Sequence, residues 1–148
     1  VNEAVRLTRE KREGRKIALH LGVEEGEIFG ERDLLLSVLV NLLDNSRKAV
    51  RTGGRIQILG RNYGKTYELC ISDNGCGMDA GESQRITEAF YMIDKSRARR
   101  EGGAGLGMTL CSRILALHHV RWKIFSKPGK GTVIVIRFHC EKEATDDE

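Results

Sequence analysis

Between positions 73 and 104 the sequence keeps neither the two-residue alternation of a strand nor the 3.6-residue repeat of a helix for more than about one turn. Glycines at 75, 77, 81, 102 and 103 punctuate the stretch, and strongly patterned segments flank it. A loop this long inside one domain is expected to be functional rather than a plain connection. The fold must therefore accept a large insertion between a first α/β half and a closing helix and hairpin.

The flanking patterns say what those halves are. Residues 1–13 read as a charged helix continuing an upstream element. Residues 16–21 alternate as a strand, with Ile17, Leu19 and Leu21 on one side, and 27–29 form a second short strand. Gly30 opens a long helix over 31–50, closed by Gly53 and Gly54. Strands over 55–61 and 67–72 flank a turn-rich 62–65. One helical turn is expected near 86–90. A helix over 106–118 and strands over 121–126 and 132–139 complete the chain. The order β-β-α-β-β-lid-α-β-β defines a two-layer α/β sandwich of the α+β class, with helices on one face of a mixed, mainly antiparallel sheet.

With 148 residues, the chain is long enough for one domain with a real core. No apolar run approaches membrane-spanning length. No basic leader is present, and a start at Val1 rather than Met points to a piece of a longer protein. Residues 1–15 are assigned to the end of an upstream helix or linker, 16–140 to the functional domain and 141–148 to an acidic tail. The net charge of +4 is spread over 6–16 and concentrated at 95–100, with only 5% aromatic residues. That pattern does not make a nucleic-acid face; a short basic loop suits a small phosphate-bearing ligand. Cys70, Cys76, Cys111 and Cys140 form no C-x-x-C pair or zinc spacing and read as reduced thiols.

Four short constellations carry chemistry. On the long helix, Leu34, Leu35, Val38, Leu39, Leu42 and Leu43 form an apolar arc, and Asn41, Asn45 and Lys48 form a polar stripe at its edge. Amides and an ammonium at a core edge suit a cleft wall that holds a hard cation and phosphates; a helix with asparagines at its solvent boundary has the same pattern. Asp73-Asn74-Gly75-Cys76-Gly77-Met78 follows an apolar strand, so a carboxylate can point into a cleft while glycines let the backbone approach a ligand; a tight turn would also read this way. The run 102–108 precedes a helix, where backbone N–H groups and the positive end of the helix dipole attract anions. It is neither a Walker A loop nor a dinucleotide fingerprint. Gly131-Thr132 enters the last strand, which a hairpin turn alone explains.

In this order the motifs resemble the ATPase family that groups gyrase, the Hsp90 chaperone, histidine kinases and the mismatch-repair protein MutL. The segment 41–48 resembles its N box, 73–77 its first glycine box, 103–108 its second, and Gly131-Thr132 its terminal Gly-Thr. The stretch 90–97 looks like the F box and lid of bacterial sensor histidine kinases. The resemblance spans about 17–138 and implies a Bergerat-type ATP-binding fold with a long ATP lid. It implies that Asn45 coordinates Mg²⁺ on the ATP phosphates, with Asn41 in support and Lys48 on phosphate oxygens. Asp73 would take the adenine amine, helped by Thr132, while Gly75, Gly77 and Met78 shape the base pocket. Gly103, Gly105, Leu106, Gly107 and Met108 would offer backbone donors to phosphate, and Phe90, Tyr91, Lys95 and Arg97 would reach the nucleotide from the lid.

Gyrase-type members carry a water-activating glutamate where this chain has Asn41, so the resemblance favours a kinase over a hydrolase, with Asp44 as an acid/base helper. None of His20, His118, His119 and His139 lies in a phosphoacceptor-like sequence, and His119 stands where the family usually has glycine. The implied reading is the ATP-binding catalytic domain of a two-component sensor histidine kinase. Its expected partners are a histidine-bearing dimerisation domain of the same parent and a response regulator. The piece alone is expected to be a monomer and its parent a homodimer, with the domain in the cytoplasm and the parent anchored in the bacterial inner membrane. An anti-sigma-factor-type serine kinase on the same fold and a nucleotide-binding regulatory module are the alternatives.

Overall fold

The computed structural model describes residues 1–86 and 107–141. In chain order the elements are α1 (Asn2–Leu7), α2 (Arg9–Gly14), β1 (Ala18–Val23), α3 (Arg32–Ala49), β2 (Arg55–Asn62), β3 (Thr66–Asp73), α4 (Ala80–Arg85), α5 (Gly107–Leu117), β4 (Arg121–Lys127) and β5 (Gly131–His139). The five strands form one sheet in the order β1-β2-β3-β5-β4. β1 and β2 run parallel, a pairing that needs a crossover, and α3 supplies it. The other neighbours are antiparallel.

The sheet has one dry face. Alternate residues Ile56 and Ile58 of β2, Leu69 and Ile71 of β3, and Ile134 and Ile136 of β5 point towards the helices and are almost completely buried. Against them α3 sets Leu35, Val38, Leu42 and Leu43, and α5 sets Met108, Cys111, Ile114 and Leu115. Both sets recur at intervals of three and four residues, the period of a helix face. Leu34, expected in the apolar arc, is 41% exposed because it lies at the arc's outer edge.

The N-terminal segment is part of this packing. It is two short helices with a kink at Thr8, not one helix, because the Thr8 hydroxyl donates back to the carbonyls of Ala4 and Val5. Ala4 is fully buried against the core. Arg15 donates to the carbonyls of Arg47 and Val50, capping the end of α3.

One further expectation changes. Residues 27–29 form no strand: among the described residues their one backbone bond runs from Phe29 N–H to the His139 carbonyl at 2.9 Å, with no ladder. Among the described residues a helix not expected from the periodicity follows Met78 at Ala80–Arg85, started by the reciprocal capping box of Asp79 and Glu82. Of the expected turn, residues 87–90 lie outside the described residues, as does most of the lid.

Candidate nucleotide-binding site

The alternation that buries Tyr67, Leu69 and Ile71 carries on to Asp73, the last residue of β3. Its carboxylate therefore reaches the helix-covered side where the core ends. The register places Thr132 directly across on β5. Gly75 N–H donates to Asp73 Oδ1 at 2.8 Å, closing a local side-chain turn. Burial pushes the Asp73 carboxyl above the usual range, against the opposing pull of hydrogen bonds from the Gly75 backbone, the Ser46 side chain and the Thr132 backbone. None of these partners is a cation, so the site holds a half-buried anion whose charge is not locally neutralised by them.

The loop after Asp73 is pinned against the β4–β5 turn. Cys76 N–H donates to the Ala49 carbonyl at 3.0 Å, and Gly129 N–H to the Cys76 carbonyl at 2.7 Å. Met78 N–H donates to Ser126 Oγ at 2.8 Å, and that hydroxyl also meets the Gly131 carbonyl at 3.0 Å and Thr132 Oγ1 at 2.9 Å. Gly77 and Gly131 both have positive φ, and a Cβ would drive the first into the Lys127 carbonyl and the second into the Asp73 carbonyl. Only glycine permits this approach. Met78 is buried beneath the same corner.

The polar stripe of α3 forms the other wall. Asn41 Nδ2 donates to the Ser37 carbonyl at 2.9 Å, which leaves its Oδ1 facing the start of α5. A Cβ on Gly107 would lie 3.1 Å from that oxygen. Asn45 and Lys48 are half-buried on the same side. The Met108 side chain packs in the core, so only its backbone N–H could face phosphate. Phe90, Tyr91, Lys95, Arg97, Gly103, Gly105 and Leu106 lie outside the described residues.

Asp44 sits beside the stripe among cations. Arg47 donates to its Oδ1 through Nε at 3.0 Å and Nη2 at 2.9 Å, Lys48 Nζ is 3.3 Å from Oδ2, and Lys11 Nζ is 4.0 Å from Oδ1. Burial alone would raise this carboxyl, but hydrogen bonds and charge from Arg47 and Lys48 outweigh it and hold it below the ordinary range. That environment holds the Asp44 side chain as an anion among cations.

No group of three or more His, Cys, Asp or Glu residues is arranged to hold a metal among the described residues. The amide oxygens of Asn45 and Asn41 still fit a hard cation that keeps most of its water and takes its other ligands from phosphate. Two residues that sequence reasoning left without a role belong to the site: Ser46, at the Asp73 carboxylate, and Ser126, which ties the glycine loop to Thr132. The hairpin register offered a signal for Ser126, because it is the cross-strand partner of Thr132.

A carboxylate at a sheet end, a glycine loop pinned beside it and an amide stripe facing a helix start make a candidate nucleotide site. The chain belongs to the histidine kinase-, DNA gyrase B- and HSP90-like ATPase family, whose model matches residues 30–142. It is 31% identical over 121 residues to the sensor-like histidine kinase SenX3 of Mycobacterium tuberculosis, covering 82% of this chain and 30% of the relative. It is 34% identical over 116 residues to the signal transduction histidine-protein kinase BaeS of Escherichia coli, covering 78% of this chain and 25% of BaeS. The chain thus spans less than a third of the length of these curated relatives. Among solved structures, the mycobacterial sensor histidine kinase MprB superposes with a TM-score of 0.78 at 23% identity, covering 93% of both chains. The nucleotide-free catalytic domain of histidine kinase ThkA superposes at 0.79 with 19% identity, covering 94% of this chain and 89% of that one. These superpositions establish a shared fold.

Proposed function

We propose that this chain is the catalytic domain of a two-component sensor histidine kinase, passing the ATP γ-phosphoryl group to a histidine on a separate dimerisation domain. One observation carries the reading: the site joins Asp73, a carboxylate with no cationic partner among the described residues, to an amide stripe, Asn41 and Asn45, that faces the start of α5. An adenine amine suits the first wall and phosphates the second. The ATPase family match and the sensor-kinase relatives support it.

In this account Asp73 accepts a hydrogen bond from the adenine amine, with Thr132 and Ser126 fixing the edge of the base pocket. Gly75, Gly77 and Met78 form its floor. Asn45, with Asn41 in support, would hold Mg²⁺, which supplies charge neutralisation on the phosphates. Lys48, Gly103, Gly105, Leu106, Gly107 and Met108 are assigned to the phosphate end, and Phe90, Tyr91, Lys95 and Arg97 to the lid. Asn41 supplies no carboxylate to activate water, which favours transfer over hydrolysis. Residues 16–140 are the catalytic unit, 1–15 the connection from the dimerisation domain and 141–148 a tail. The parent is a homodimer anchored in the inner membrane with this domain in the cytoplasm, and a response regulator receives the phosphoryl group from the histidine.

The test combines this chain, Mg²⁺ and γ-labelled ATP with the parent's histidine-bearing domain added in trans. The expected result is label on that domain in an acid-labile, base-stable form, with little phosphate released by the chain alone. Rapid hydrolysis by the chain alone, or acid-stable label on serine, would overturn the proposal.

A further inference from the structure

Lys48 is the cation of the α3 stripe, yet its ammonium does not stand over Asn41 and Asn45. It lies 3.3 Å from Asp44 Oδ2. At about 100° per residue, Asp44 is displaced around α3 from Lys48 on the side away from Asn45, so the pair draws the ammonium off the stripe. The other oxygen of Asp44 is occupied: Arg47, itself 91% buried, holds Oδ1 through two nitrogens. That bidentate grip fixes the carboxylate in place. Lys11 of α2 stands 4.0 Å from Oδ1, so the N-terminal segment touches the same anion.

We infer that Asp44 is a positioning residue, an anionic latch that holds Lys48 off the phosphate subsite until a polyphosphate competes for it. The inference rests on the nucleotide-site reading above and adds a residue that restrains binding. A triphosphate must draw Lys48 away from Asp44. That cost weakens binding of nucleotides with several phosphates and leaves those with one phosphate much less affected.

The test is calorimetric titration of ATP and AMP, each with Mg²⁺, into the unaltered chain, Asp44→Asn, Asp44→Glu, Lys48→Met and the double variant. Asparagine keeps an oxygen acceptor for Arg47, so the fold should survive; a melting curve checks this, and Asp44→Ser replaces it if the asparagine variant unfolds. The expected result is about threefold to tenfold tighter ATP binding by Asp44→Asn, the size of a half-exposed ion pair, with AMP unchanged. Asp44→Glu, which retains an i, i+4 acid–lysine pair, should bind ATP like the unaltered chain. The gain should disappear when Lys48 is already methionine. ATP binding that is unchanged or weaker in a folded Asp44→Asn overturns the latch, as does a gain that persists without Lys48. If no nucleotide binds the unaltered chain, the nucleotide-site reading itself fails.

Discussion

Replacing Asp73 with asparagine should make the domain more stable and a poorer nucleotide binder. The carboxyl is pushed up by burial, so its ionised form costs more in the folded chain than in the unfolded one. Asparagine removes that charge and keeps an oxygen for the Gly75 N–H, which now bonds Oδ1 at 2.8 Å. Relief of a cost of this kind at a functional site is commonly about 0.5–2 kcal/mol, and about 1 kcal/mol moves the melting point of a domain this size by about 2–4 °C. The sign with pH follows from the raised pKa. Below the unfolded value of about 3.9 folded and unfolded chains both hold the proton, and the carboxyl carries no penalty. The penalty grows as pH rises from the unfolded value towards the folded one, so the advantage of asparagine should be larger at pH 7 and close towards pH 4. Binding moves the other way. With the asparagine oxygen held by Gly75, its NH₂ faces the pocket, and two donors meet where the adenine amine also donates. Loss of a charge-assisted hydrogen bond, about 1.5–3 kcal/mol, weakens binding about tenfold to a hundredfold. Thermal melts across pH and calorimetry with Mg-ATP read both effects. An asparagine variant that is less stable at pH 7, or equally shifted at all pH values, would refute the burial argument.

Three other substitutions probe separate parts of the account. His119 sits at φ 53° at the end of α5, where Val120 N–H bonds the Leu115 carbonyl and His119 N–H the Ala116 carbonyl. This is a glycine-favouring helix stop, so His119→Gly should raise stability by about 1 kcal/mol, read by urea denaturation; no gain would mean the histidine side chain repays its strain. Leu42 is fully buried between α3 and the sheet, and Leu42→Ala should cost about 2–5 kcal/mol, visible as a lower urea midpoint. Ser126→Ala strips the partner from Met78 N–H and should cost about 1–3 kcal/mol while weakening ATP binding severalfold; unchanged binding would remove Ser126 from the site.

The large features of the fold were legible because they rest on period. The i, i+3, i+4 pattern of α3 and α5 and the alternation of β2, β3 and β5 each name one buried face, and those faces meet. Failures came where tertiary context decides. Leu21 alternates as a core residue should, yet it is 48% exposed, because β1 is an edge strand that the helices do not cover. Residues 27–29 have strand-like composition but only one backbone-bonded neighbour among the described residues. The capping box of Asp79 and Glu82 was present in the sequence as a local signal and starts α4, which periodicity alone did not suggest. In the site, Asp73, Asn41 and the glycines were readable as residue types at telling places. The latch between Asp44 and Lys48 was not, because adjacency on a helix says nothing about which neighbour a flexible ammonium prefers.

The most direct test of the central claim is calorimetric titration of the unaltered chain with Mg-ATP and, separately, Mg-GTP. An adenine presents an amine to the Asp73 carboxylate, whereas guanine presents a carbonyl oxygen at the same position, acceptor against acceptor. The account predicts saturable one-to-one binding of ATP and binding of GTP at least about tenfold weaker. Equal binding of the two would contradict the role given to Asp73, and failure of both to bind would contradict the nucleotide site.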